Sequence, residues 1–228
     1  MLSPARHHRQ RSSALAAHNA AKARFAPLSE AKPYELMRAK LDADMRRLKL
    51  IQSREKKIDL KRQMLPEYDS WVDGALQADS GEQDDILVNV MVWRIDTGDF
   101  YGALKIAEYA LRHNLKLPTR YNRTLPCLIA EEFADAAKKA LDEKRVPELA
   151  ALAEADRLTQ GRDMPDEVRA KVQKTMGLTL EQDDKPEQAL ICLRRALALN
   201  QNVGVKKDIE RLERVIKKMP PAPNGADG

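Results

Sequence analysis

Apolar residues recur at steps of three and four through residues 33–51, at Tyr34, Met37, Leu41, Met45, Leu48 and Ile51. This spacing returns side chains to one face of an α-helix, whereas a strand would scatter them over both faces. Pro33 stands where a helix can begin and Pro66 where one must have ended, so the pattern predicts one long helix over residues 33–65. The apolar stripe is narrow and the remaining surface charged, and such a helix buries its stripe against another helix, in a bundle or a coiled coil. Composition extends the argument to the whole chain. Only 4% of residues are aromatic and 33% are charged, with Ala, Leu, Glu, Lys and Arg abundant, which predicts an all-α protein rather than a sheet sandwich.

The second half of the predicted helix is strongly basic. Arg46, Arg47, Lys49, Arg54, Lys56, Lys57, Lys61 and Arg62 stand against only Glu55 and Asp59. The first 62 residues carry 16 Lys or Arg and six acids, a net charge of +10 with no acid before Glu30, and the remainder of the chain sums to −5. A surface basic at one end attracts phosphate backbones, and a mildly acidic remainder limits indiscriminate sticking. Residues 1–27 are low in complexity and basic at Arg6, Arg9, Arg11, Lys22 and Arg24, which predicts a flexible arm. Double-stranded DNA is the partner this charge distribution suits, through Arg6, Arg9, Arg11, Lys22, Arg24, Arg46, Arg47, Lys49, Arg54, Lys56 and Lys57. The cations of the long helix suit a solvated bundle face equally well, and both readings stand at this point.

Helical hairpins are expected beyond residue 65. Ser80-Gly81-Glu82-Gln83 reads as a capping box opening a helix with Ile86, Val90 and Trp93 on one face. Gly98 supplies a stop, and Asp99 a cap for a second helix bearing Leu104, Ala107 and Leu111. Further helices are predicted over residues 128–141 and 146–158. Pro165, Asp166 and Glu167 open another, with a turn at Asp183-Asp184 before its partner. Ala103-Leu104 and Ala110-Leu111 recur as Ala189-Leu190 and Ala196-Leu197, a small-plus-large pattern of tetratricopeptide-like hairpins, although two copies do not make a regular solenoid. Val205, Ile209, Leu212 and Ile216 predict a last amphipathic helix before Pro220, Pro221 and Pro223. The organisation is therefore an arm at 1–27, a long basic helix at 28–65, a hairpin domain at 66–202, a C-terminal helix at 203–219 and a disordered tail at 220–228.

Little in the sequence performs chemistry. No Gly-x-x-x-x-Gly-Lys-Ser/Thr run is present, so ATP hydrolysis by that route is not expected. Glu82, Asp84 and Asp85, followed by Asp96 and Asp99, are the concentrated carboxylates, and Asp84, Asp85, Asp96 and Asp99 are the candidates for catalysis. A Mg²⁺-dependent endonuclease can use converging acids to cleave phosphodiesters, but these positions also suit a helix's opening turn and a cap. Apart from Mg²⁺ under that alternative, no cofactor or structural metal is expected. Cys127 and Cys192 lie 65 residues apart with no ligand-spaced neighbour, which predicts neither a zinc site nor a disulfide. Trp71 and Trp93 are expected to pack in the core. No apolar run is long enough to span a bilayer.

Four blocks in order carry a resemblance. They are Ser3-Pro4-Ala5 with the basic run after it, residues 83–107 with Trp93-Arg94-Ile95-Asp96-Thr97-Gly98-Asp99 at their centre, residues 164–171, and residues 204–213. Together they resemble the small terminase subunit of the P-two group of temperate tailed phages, from about residue 3 to 218. The resemblance implies a DNA-packaging role: recognising the cohesive-end site and recruiting a large subunit that carries the ATPase, as a homo-oligomer in the host cytoplasm. The family is also described as an endonuclease component of terminase, yet no catalytic residue carries over to a numbered position. A tetratricopeptide-like adaptor that binds protein, with an incidental basic arm, is the competing reading from another class.

Overall fold

The computed structural model describes residues 32–118 and 121–219, all in helices and the turns between them. The expected arm residues Arg6, Arg9, Arg11, Lys22 and Arg24 and the tail at 220–228 lie outside the described residues. Two compact units divide the chain, Met1–Ile51 and Gln52–Gly228.

The described part of the first unit is helix α1, Pro33–Leu50. Proline at its first position costs nothing, because that N–H has no intrahelical partner. The Glu35 carboxylate reaches back to accept the Lys32 N–H at 3.1 Å. Leu41 and Leu48 of the predicted stripe are buried. Asp44 is buried on the same face, where Lys40 (2.7 Å) and Arg47 (3.0 Å) donate to its two oxygens.

The single helix predicted over 33–65 is two helices. Ile51 turns extended, and α2 begins at Arg54 and runs to Met64. The sequence contains the reason: the Ser53 hydroxyl accepts the Lys56 N–H at 3.3 Å. A serine that caps in this way offers its backbone an alternative to continuing the preceding helix.

In the second unit, α2 runs into a 3-10 turn at Leu65–Tyr68, opened by Pro66, and then into α3, Asp69–Ala78. Seven further helices follow: α4 Asp85–Thr97, α5 Phe100–Arg112, α6 Leu125–Asp142, α7 Leu149–Thr159, α8 Asp166–Gln182, α9 Pro186–Leu199 and α10 Lys206–Lys218. Successive elements pair as α4 with α5, α6 with α7, α8 with α9, and α9 with α10, while α2 packs on α4. Helix α4 is the centre of this unit. Ile86, Leu87, Val88, Val90 and Met91 are all fully buried, so the helix is buried around its circumference and not along one stripe.

The caps explain where helices start and stop. Helix α4 does not begin at Ser80, because Asp84 outcompetes it: its carboxylate accepts the N–H groups of Ile86 (2.7 Å) and Leu87 (3.2 Å). Ser80 instead accepts the Glu82 N–H within the preceding loop. Gly98 then closes α4 in the left-handed region at φ 88°, and Asp99 caps α5 by accepting the Gly102 N–H at 3.0 Å. Gln83 ties this hairpin shut by exchanging two hydrogen bonds with the Lys116 backbone, each 2.8 Å. The repeated Ala-Leu pairs have a packing cause. Ala103, Ala110, Ala189 and Ala196 are fully buried where helices approach closely.

Candidate nucleic-acid interface

Six of the cations expected to meet DNA lie on described helices. Arg46, Arg47 and Lys49 are exposed on the last turns of α1, and Arg54 and Lys56 are exposed on the first turn of α2 with Lys57 half-buried beside them. Arg47 is partly committed to Asp44. Arg46, Lys49, Arg54, Lys56 and Lys57 make no ion pair within 4 Å among the described residues. The chain therefore maintains exposed cations that its own acids do not neutralise, the arrangement that releases counterions when a polyanion docks. Lys61 differs. About two turns into α2 it is drawn to Asp96, and Arg62 pairs with Asp59 at 3.0 Å.

The four candidate catalytic carboxylates are not brought together. Asp84 and Asp85 stand at the N-terminus of α4 and Asp96 and Asp99 at its C-terminal end, a separation of about 15–20 Å along the helix axis. One metal ion or metal pair cannot bridge that span. Each acid also has a partner of its own. Asp84 caps α4 and accepts the Trp71 indole N–H at 2.8 Å; burial pushes its carboxyl up, opposed by that indole and the two amides. Asp85 accepts from the Gln83 amide, Asp96 is paired with Lys61, and Asp99 holds Arg94 while capping α5. Trp71 thus fixes a helix cap, and Trp93 is buried edge-on against Tyr68 at 5.7 Å. Burial pushes both the Cys127 and the Cys192 thiols up, which disfavours the reactive thiolate.

A cleft of about 560 Å³ opens in the second unit among α2, the end of α4, α6 and the start of α7. Its acids are occupied. Asp96 pairs with Lys61, Glu132 with Arg123 (2.9 Å) and Asp135 with Lys171 (2.7 Å), and Glu148 accepts the Tyr101 hydroxyl (3.1 Å). Burial pushes the Glu132 carboxyl up while Arg123 draws it down. Lys139 and Arg145 also line this cleft and were not among the expected site residues. The sequence signal was the run Lys138-Lys139-Ala140-Leu141-Asp142-Glu143-Lys144-Arg145, basic at both ends and easily passed over as an ordinary helix end.

These features define an all-helical protein whose free positive charge sits on two helices and whose carboxylates serve its own fold. The family profile of the phage small terminase subunit matches residues 38–167. The chain is 47% identical over 228 residues to the "Terminase, endonuclease subunit" of Escherichia phage P2, covering 99% of this chain and 91% of that protein. It is 27% identical over 192 residues to the "Probable terminase, endonuclease subunit" of Haemophilus phage HP1, covering 78% of this chain and 68% of that protein. The chain belongs to the phage small terminase subunit family.

Proposed function

We propose that this terminase small subunit binds double-stranded viral DNA at the cohesive-end site and recruits the large ATPase subunit for packaging and cohesive-end cleavage, acting as a homo-oligomer in the host cytoplasm. The observation that carries this reading is the set of exposed cations on α1 and α2 left without ion pairs among the described residues. The basic residues of the arm, Arg6, Arg9, Arg11, Lys22 and Arg24, extend the same chemistry. Phosphate contacts of this kind set position and register and carry no sequence information directly. Several weak contacts act together when subunits are linked in an oligomer. Among the described residues no helix is long and apolar enough to cross a membrane.

DNA binding by the full-length protein and by a chain starting at Leu28, titrated over salt on cohesive-end and unrelated duplexes, tests the reading. If one arm engages about five phosphates, its loss makes the log–log salt slope shallower by roughly 4 to 5. Absence of binding to either duplex overturns the reading in favour of a protein-binding adaptor.

A second reading, a Mg²⁺-dependent endonuclease subunit, is favoured by the name both relatives bear. Its four candidate acids are divided between the two ends of α4, which favours a subunit that directs a cut made by the assembled terminase. Asp85→Asn with Asp96→Asn in a reconstituted terminase decides between them: cleavage is expected to survive, and its loss with the fold intact would restore the nuclease reading.

A further inference from the structure

The cleft beside α2 has a basic rim that the long-helix pattern did not foreshadow. Arg54, Ile58 and Arg62 stand four residues apart on α2 and line it together. The last turn of α6 supplies Lys139, and the connection from α6 to α7 supplies Arg145. Helix α6 ends with Lys144 in the left-handed region at φ 56°, and the Lys144 and Arg145 N–H groups return to Leu141 (3.0 Å) and Ala140 (2.8 Å). This turn brings Arg145 back onto Glu143, which its Nε and Nη2 both reach, at 3.0 and 2.5 Å. Lys139 Nζ lies 3.8 Å from the other oxygen of the same carboxylate. The Arg145 hydrogen bond holds the Glu143 carboxyl below its usual range, and the charges of Lys139 and Arg54 add to the effect.

Two cations therefore meet one carboxylate, and the charge of Arg54 acts on it without an ion pair. The acids that line the cleft offer no compensation, since Asp96, Glu132 and Asp135 are spent on Lys61, Arg123 and Lys171, and Glu148 on Tyr101. The carboxylate itself is accessible: side-chain exposure is 46% for Glu143 and 60% for Arg145. A carboxylate whose Oε2 accepts from both Nε and Nη2 of one guanidinium, with Lys139 beside its other oxygen, occupies the position a phosphate oxygen would take, because either anion can accept from the same donors.

We propose that Arg54, Lys139 and Arg145 form a phosphate-backbone contact for DNA at the mouth of this cleft, with Glu143 as the internal anion that a phosphate displaces. This rests on the DNA-binding reading above and extends its surface from α2 onto the α6–α7 connection. An acidic segment of a protein partner would meet the same cations. DNA is favoured because Arg54 belongs at once to the exposed first turn of α2 and to this rim.

The test uses full-length protein and three species: wild type, Lys139→Gln with Arg145→Gln, and Glu143→Gln. The double variant is expected to bind duplex DNA about tenfold more weakly near 0.1 M salt, with a log–log salt slope shallower by about 2. Glu143→Gln is expected to bind severalfold more tightly, a gain that misfolding cannot produce. If wild type binds DNA and neither variant differs from it, this contact is wrong while the wider reading stands. If the double variant keeps DNA affinity but no longer holds the large terminase subunit, the rim belongs to a protein partner and the proposal is overturned. If wild type binds no DNA, the failure lies in the reading on which the contact rests, and the contact falls with it.

Discussion

Residues 33–62 and residues 63–93 adjoin in sequence and differ in how they use charge. The first segment is crowded with cations, of which Arg46, Lys49, Arg54, Lys56 and Lys57 have no ion pair among the described residues. The second contains no Lys or Arg at all, yet three of its acids are bound into the fold. Asp69 grips Arg94 at 2.7 Å, Asp79 grips Arg112 and His113, and Asp84 holds a helix cap and an indole. Charges spent on structure and charges held for a partner look alike in a composition count. The geometry separates them by asking what each group already touches.

That difference yields a double dissociation: substitutions in the acidic segment should cost stability, and substitutions among the free cations should cost binding. The largest stability effect is expected from Asp84→Ala, which strips two N–H groups of α4 and the Trp71 indole of their acceptor. A loss of about 2–3 kcal/mol in a denaturant titration is expected. Gly177→Ala on α8 comes next. A Cβ there would lie 2.6 Å from Leu193 Cδ2 and 3.1 Å from the Ala189 carbonyl oxygen, so helix α9 must shift. Overpacking outweighs the helix propensity gained, for a net cost of about 1–2 kcal/mol by the same titration.

Asp79→Asn gives a smaller effect, visible mainly as a change with pH. The hydrogen bond to His113 holds the Asp79 carboxyl below its usual range, with the charges of Arg112 and His113 assisting. Its contribution is complete above the ordinary carboxylate pKa and disappears as pH falls through the depressed value, because the unfolded chain then binds the proton first. The melting temperatures of wild type and variant should therefore converge in strong acid and separate above pH 4. The smallest stability effect is expected for neutralising Arg46, Lys49, Arg54 and Lys56 to Gln together, within about 0.5 kcal/mol in total, because small effects of either sign at exposed sites offset one another. A large destabilisation by that variant would mean these cations are structural after all.

Much of the helical framework was legible because its signals are local. Gly98 followed by Asp99 marks a left-handed stop and a cap in adjacent residues, and Pro165 with Asp166 and Glu167 marks a helix start through geometry and dipole together. The break at Ser53 was missed because the apolar spacing carries on to Ile51 and Ile58 across it, so periodicity masked a single capping hydroxyl. Helix α3 gave no pattern to read. Val72 is its one buried residue, and its exposed face is polar or small. The candidate DNA residues on α1 and α2 were legible as a charge run. Their freedom from ion pairs was not, since Lys61 is neighbour to them in sequence and is drawn to Asp96, 35 residues away. The basic rim was out of reach for the same reason, because Arg54 meets Lys139 and Arg145 only through the packing of α2 beside α6 and α7.

The central claim is that the free cations of α1 and α2 exist to meet phosphates. The measurement that bears on it most directly is the salt dependence of duplex DNA binding by full-length protein and by the Arg46→Gln, Lys49→Gln, Arg54→Gln, Lys56→Gln variant, with thermal melts run in parallel. The account predicts an unchanged melt, a salt slope shallower by about 3 to 4, and affinity lower by roughly two orders of magnitude near 0.1 M salt. An unchanged slope and affinity in the variant, with wild type binding DNA, would contradict it.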